Sequence, residues 1–471
     1  MNNKEKKYLT PNFHLTPISG WLNDPNGLCQ LDGVHHIFFQ YSPDAPKGGE
    51  KDWGHYSTKD FINYDFTGVF MRPDLPSDAS GVYSGCAMVE DGTMYIYYTG
   101  NVKHPGNYDY IFEGRESNTT LVESLDGVSH TSKEILITSQ DYPDNLSLHV
   151  RDPKVFKVGQ KYYMILGART KSAEGCAIIF TSDDKRNWHF SHSLEKPNFG
   201  YMWECPDLFV LDGKQFLSAS PQGLEAEEFK YQNIYQSGYF VAAGDLLSSG
   251  NCLGQFTEWD YGFDFYAPQT YVDEQGRVIL IAWMGMPDNP YGDDPTVEDG
   301  WQHMLSIPRQ LILDEKTGKI SQKPIEEFAN LREQELFNGN ASQLSNEQNQ
   351  IAACQGYEVT LNGFDGKDFS LTFNHGFIVK FAASAGILTF EFADEKLGAT
   401  RDIRRIKLDK TVSSMDIFVD TCSIEFFIND GQYTFTTKYF KEKEQPNDLA
   451  ISGQIENVNI YEMRQFNITK V

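Results

Sequence analysis

Long apolar runs, paired cysteines and basic charge are what this 471-residue chain has little of. No stretch approaches the roughly 18 apolar residues of a membrane-crossing helix, which points away from a helical membrane protein. The segment Met1-Asn2-Asn3-Lys4-Glu5-Lys6-Lys7 is charged, and Tyr8 to Thr16 lacks the apolar core of a secretory signal. A cytoplasmic location is expected. The cysteines, Cys29, Cys86, Cys176, Cys205, Cys252, Cys354 and Cys422, are odd in number and contain no C-x-x-C pair. Free thiols in a reducing interior are expected, and a metal site is not. Pro-rich and low-complexity tracts are also missing, while aromatics reach 14%, a globular and β-rich composition. Forty Lys and Arg face 66 Asp and Glu, a net charge of −26. Neither nucleic acid nor an anionic membrane is expected as main partner, since both need a basic face. The acidity suits solubility. A few placed Arg or Lys residues can still hold a small anion.

What the chain does have is a repeat. Trp21-Leu22-Asn23-Asp24-Pro25-Asn26-Gly27, Arg151-Asp152-Pro153 and Trp203-Glu204-Cys205-Pro206-Asp207 each precede a turn glycine and a short aromatic or aliphatic run. The turn glycines are Gly33, Gly159 and Gly213. Two further copies lack a central acid: Tyr83-Ser84-Gly85-Cys86 before Gly92, and Tyr266-Ala267-Pro268-Gln269 before Gly276. The runs VHHIFFQY, TMYIYYT, KYYMILG, KQFLSAS and RVILIAWM read as second strands of hairpins. Five units of this size suggest an all-β chain whose first part is a five-bladed β-propeller. In that architecture the inner strands line one axis, and Asp24, Asp152 and Glu204 converge from equivalent places.

The repeat ends near Ile307 to Leu311. A helical stretch is expected from about Pro324 to Leu336, with Ile325, Phe328, Ala329 and Leu331 as its apolar face. Strands then return without the motif, at Phe369 to Phe373, Ile387 to Phe392, Ser414 to Val419, Ser423 to Ile428 and Tyr433 to Thr437. Asn429-Asp430-Gly431 is a hairpin turn signal. The expected organisation is a catalytic propeller over residues 1–323, a helical linker over 324–337 and a β-sandwich over 338–471.

Singly, each acidic motif has an ordinary explanation as turn chemistry or a local ion pair. Together they suit glycosidic bond cleavage, which needs one carboxyl to attack the anomeric carbon and one to protonate the departing oxygen. A third can stabilise the oxocarbenium-like charge. Trp203, Cys205 and Pro206 give Glu204 an apolar setting with Asp207 close by, which favours a raised pKa and the acid's role. Arg151 should keep Asp152 ionised as a stabiliser. Asp24, on a turn with Asn23 and Asn26, suits a nucleophile. No metal or organic cofactor is implied.

These motifs, in this order and over nearly the whole length, resemble glycoside hydrolase family 32, the invertase, fructanase and sucrose-6-phosphate hydrolase group. The resemblance implies a five-bladed propeller plus β-sandwich and retaining hydrolysis of β-fructofuranosides. It places Asp24 on the nucleophile, Asp152 on the transition-state stabiliser and Glu204 on the acid/base. Asn23, Gln40, Trp53, Ser84 and Arg151 fall where the family grips the fructosyl unit and its neighbour. Trp53 and Trp283 are candidate aromatic walls. Tyr83 stands where many members have Phe, and Asp52 where many bacterial members have His.

The substrate expected is sucrose-6-phosphate, with sucrose also cleaved. Lys47, Lys51 and Arg115 are candidate phosphate readers. A β-fructosidase acting on short fructo-oligosaccharides and a fructosyltransferase share the same catalytic residues. A non-catalytic fructan-binding propeller should have lost one of the acids, and all are present.

Overall fold

The computed structural model describes residues 9–248, 253–346, 348–443 and 445–471. Met1–Lys7 and Cys252, on which two of the sequence readings rest, lie outside them. The five turn glycines all adopt positive φ. At Gly33, Gly92 and Gly213 the preceding Asp32, Asp91 and Asp212 are left-handed too, with φ near 50°. Two successive positive-φ residues are what an Asp-Gly hairpin turn requires. A Cβ at any of the five glycines would meet nothing, so conformation rather than space selects glycine.

Those hairpins generate five antiparallel sheets up to Pro324 among the described residues. Their first strands are Gly20–Leu31, Val82–Glu90, Leu146–Val158, Met202–Leu211 and Tyr266–Val272. Each first strand packs against the first strands of the neighbouring sheets, and the first and fifth also touch, which closes a ring. Parallel pairing of Gly20 and Trp21 with Trp301 and Gln302 reinforces the closure. The C-terminal strand Asn467–Lys470 pairs with Asn63–Phe66 and covers the outer edge of the first sheet.

Apolar side chains fill the wedges between sheets. Adjacent residues of a strand point to opposite faces, so each second strand feeds two wedges. Ile96 joins the cluster shared with the first sheet, and Tyr97 the one shared with the third. Met164 and Ile165, and Phe216 and Leu217, divide in the same way. Burial on both faces explains why these strands read as unbroken apolar runs.

Two sheets pack face to face beyond residue 331. One contains Arg332–Gly339, Ile455–Met463, Tyr357–Phe364, Ser414–Val419, Ser423–Ile428 and Tyr433–Lys438; the other contains Phe369–Phe373, Phe377–Ala382, Ile387–Phe392, Ile403–Lys407 and Leu449–Ser452. The expected helix is narrower and of another type. Pro324 ends the strand Ile320–Pro324, Glu326–Leu331 is a 3₁₀ helix, and Leu336 belongs to the strand Arg332–Gly339. Ile325, Phe328 and Leu331 are buried at a spacing of three, the 3₁₀ period, whereas Ala329 is exposed.

Charge, rather than a greasy seam alone, joins the two parts. Arg309 is fully buried between Asp260 and Glu425, and its Nη1 donates to Asp260 Oδ2 at 3.1 Å. His14 bridges Asp420 and Glu425 at 2.8 and 2.9 Å. Burial alone would depress its pKa, but the hydrogen bonds and charges of both acids lift it to about 9. Such a network costs several kcal/mol to break at one partner, so the sandwich is held firmly to the ring.

Candidate active site

A cavity of about 490 Å³ opens where the first strands begin. Near its start each first strand carries a β-bulge, after Leu22, Tyr83, Arg151, Glu204 and Tyr266. Bulges bend a strand and re-aim its side chains. They also absorb Pro153, Pro206 and Pro268, which cannot donate to a ladder. Asp152, Cys205 and Ala267, each preceding one of these prolines, hold positive φ of 63°, 46° and 49°. That is strain of about 1–3 kcal/mol apiece, of the kind that collects at functional sites.

The strain aims polar groups inward. The Cys205 backbone N–H donates to Asp152 Oδ2 at 2.9 Å, and the Cys205 thiol faces Asp24 Oδ2 at 3.7 Å. One residue thus ties two carboxylates together. Ser84 Oγ donates to Asp24 Oδ2 at 2.6 Å and Asn23 Nδ2 to Oδ1 at 3.2 Å, while Trp21 Nε1 fixes Asn23 at 2.8 Å. The Asp152 backbone N–H donates to Thr99 Oγ1 at 3.0 Å. Glu204 accepts from Arg151 Nη2 at 2.6 Å, Gln222 Nε2 at 2.7 Å and Tyr266 Oη at 2.5 Å.

Two expectations change. The three acids do not share one register position. Asp24 and Asp152 directly precede a proline, whereas Glu204 precedes Cys205 and pairs with Ser220 in the ladder. Its counterparts in the adjoining sheets are Arg151 and Tyr266, which explains why those two side chains flank it. The second change follows: Glu204 sits among polar partners rather than in an apolar pocket. Arg151 engages Glu204 closely and Asp152 only at 3.9 Å.

Burial therefore dominates Asp152 and lifts its carboxyl to about 7, with Arg151 opposing and Glu204 adding to the rise. Asp24 is raised as well, first by burial, with Ser84 opposing and Glu204 adding. Asp152 gives a stability prediction. Its folded pKa exceeds the ordinary value of about 3.9, so the native state binds the proton more tightly and loses stability as pH rises toward 7. Asp152→Asn should raise the melting temperature by a few degrees at pH 8 and by less at pH 5. Calorimetry at both values checks this, and an equal gain at both would remove the charge explanation.

Asn23, Gln40, Tyr83, Ser84, Arg151 and Trp283 line the cavity with the three acids. Trp53 does not. It is fully buried against Phe38 and Tyr98 in the wedge between the first two sheets, and its indole donates to the Tyr83 carbonyl at 3.1 Å. Its part is to support Tyr83, not to form a wall. Trp21 takes the wall position, with its ring centroid 6.1 Å from that of Trp283. Asp52 is likewise buried away from the cavity lining. Sequence reasoning missed Trp21 although it opens the first motif, and Tyr266 because its copy of the repeat lacks an acid. Gln222, His149 and Asp288 carry no local signal.

The six described cysteines are buried and unpaired. Among the described residues no helix is long and apolar enough to cross a membrane.

A ring of sheets with a carboxylate-lined cavity at its end, backed by a two-sheet domain, is the β-propeller plus β-sandwich architecture of a class of glycoside hydrolases. The comparisons with known proteins narrow the class. Residues 14–324 match the Glycosyl hydrolases family 32 N-terminal domain and residues 338–462 the family 32 C-terminal domain. The chain belongs to glycoside hydrolase family 32. It is 38% identical over 441 residues to the sucrose-6-phosphate hydrolase of Bacillus subtilis (strain 168), covering 91% of this chain and 88% of that one. Identity to the Vibrio alginolyticus sucrose-6-phosphate hydrolase is also 38%, over 91% of this chain and 86% of the relative. Among solved structures, the sucrose-6-phosphate hydrolase from Lactobacillus gasseri superposes with a TM-score of 0.87 at 28% identity, covering 98% and 94% of the two chains. The Bombyx mori GH32 beta-fructofuranosidase gives 0.84 at 28% identity, over 98% and 96%.

Proposed function

We propose that this protein is a retaining β-fructofuranosidase that cleaves sucrose-6-phosphate and sucrose and releases fructose. The observation that carries the reading is that Asp24, Asp152 and Glu204 line one cavity, with Cys205, the residue after Glu204, bonded to both aspartates. Asp24 is the nucleophile. Ser84 and Asn23 orient its carboxylate, whose electron pair forms a bond to the anomeric carbon of the fructosyl unit. As the glycosidic bond breaks, its electron pair stays on the leaving oxygen, which takes a proton from Glu204. A water then attacks the fructosyl-enzyme and gives its proton back to Glu204, releasing β-fructose with retained configuration. Asp152, held by the Cys205 N–H, faces the positive charge that develops between these states. Arg151, Gln222 and Tyr266 position Glu204. Two carboxyls suffice for this chemistry, so no metal or organic cofactor is assigned.

We read the five sheets of residues 1–323 as five propeller blades and residues 338–471 as the β-sandwich. The linker 324–337 holds the 3₁₀ helix Glu326–Leu331 and the start of a sandwich strand. A cytoplasmic enzyme acting on a small sugar, without a nucleic-acid or membrane partner, is in keeping with the charge and composition.

The test is kcat/KM for sucrose-6-phosphate, sucrose and 1-kestose on the purified protein. The expected order places the phosphorylated sugar first. A preference for 1-kestose would move the enzyme to the oligosaccharide group. Chain-extended products exceeding free fructose at high sucrose would make it a fructosyltransferase.

A further inference from the structure

Positive charge is concentrated at one place beside the cavity. Lys103, Arg115, Arg151 and Arg169 surround His149 and hold its pKa down at about 2, burial being the largest cause. Of these cations Arg151 is the one ion-paired with carboxylates among the described residues. In a chain of net charge −26 the other three need an explanation.

The hydrogen bonding here is incomplete. Arg115 Nη1 lies 2.6 Å from His149 Nε2, and Arg151 Nη1 lies 3.2 Å from His149 Nδ1. A neutral imidazole has one lone pair and one N–H. It can accept from one guanidinium and must turn its N–H toward the other. Arg115 Nε is buried without any acceptor, and so is Arg169 Nε. Donors crowd this corner, and what it lacks is an acceptor of negative charge.

Its position says which one. Contacts run from Glu204 to Arg151, to His149, to Arg115, leading away from the acid. In the proposed mechanism Glu204 protonates the glycosidic oxygen, so the departing sugar lies on this side, where Arg115 also lines the cavity. We propose that Arg115, with His149 and Lys103 beside it, binds the phosphate monoester of the leaving sugar in sucrose-6-phosphate. A guanidinium offers the fork that a phosphate accepts bidentately. The other two candidates are otherwise engaged. Lys47 pairs with Asp293 at 2.6 Å. Lys51 lies over the Trp21 ring at 5.0 Å and faces Asp24, on the side of attack.

This inference rests on the proposed function, and two readouts keep them separable. The first is the ratio of kcat/KM for sucrose-6-phosphate to that for sucrose. Arg115→Leu should lower the ratio about 10- to 100-fold, the worth of a charge-assisted pair. Arg115→Lys should fall between, and Lys47→Ala should leave the ratio where it was. The second is calorimetric binding of glucose-6-phosphate against glucose, whose difference should vanish in Arg115→Leu. Equal loss on both substrates with the glucose-6-phosphate advantage intact would overturn the assignment, as would a ratio that follows Lys47 instead. Should neither fructoside be cleaved, the functional reading fails, and the calorimetry still decides this site.

Discussion

Asp24→Ala leaves no measurable sucrose hydrolysis: kcat falls by roughly 10⁴- to 10⁶-fold, the scale on which enzymes lose a nucleophile. Asp24 is half-buried, its Oδ2 accepts from Ser84, its Oδ1 from Asn23, and Trp21 in turn locks Asn23. A carboxylate held this way has surrendered most of its freedom before substrate arrives, which is the preorganisation that lowers a barrier. No neighbour can stand in for it, since Asp152 is committed to the Cys205 N–H and Glu204 to three donors. The variant should fold with undiminished stability, because it removes a carboxyl whose pKa burial has raised. Thermal unfolding and steady-state kinetics on the same preparation check both halves. Residual turnover above about a hundredth of wild type in a folded variant would take the nucleophile's role from Asp24. Ser84→Ala is the graded companion. It leaves the carboxylate but removes the bond that opposes its raised pKa, so the acidic limb of the pH profile should move upward.

The places where sequence reasoning succeeded and failed have physical causes. The first-strand motifs were legible because turn glycines and prolines impose backbone conformations that few other residues can meet. Trp53 was misread since a tryptophan's burial depends on which face of its strand looks into a wedge, and the neighbouring sheet settles that. The setting of Glu204 was misread for a related reason. Its sequence neighbours Trp203 and Cys205 are apolar, but neighbours along a strand point to opposite faces, and its real partners arrive from other strands: Arg151 53 residues earlier, Tyr266 62 residues later. A helical stretch was legible after Pro324, yet its 3₁₀ type was not, and its length was set by the pairing of Arg332–Gly339 with Ile455–Met463, which begins at once.

Glu204→Gln separates the acid's role from the nucleophile's. On sucrose it should cost about 10²- to 10⁴-fold in kcat/KM, the usual worth of a positioned acid. On fructosyl fluoride, whose leaving group needs no proton, the first step should be nearly spared. The amide can keep a contact with Tyr266, so the fold should stand. Equal losses on sucrose and on the fluoride would deny Glu204 the proton transfer and leave it as a holder of Arg151.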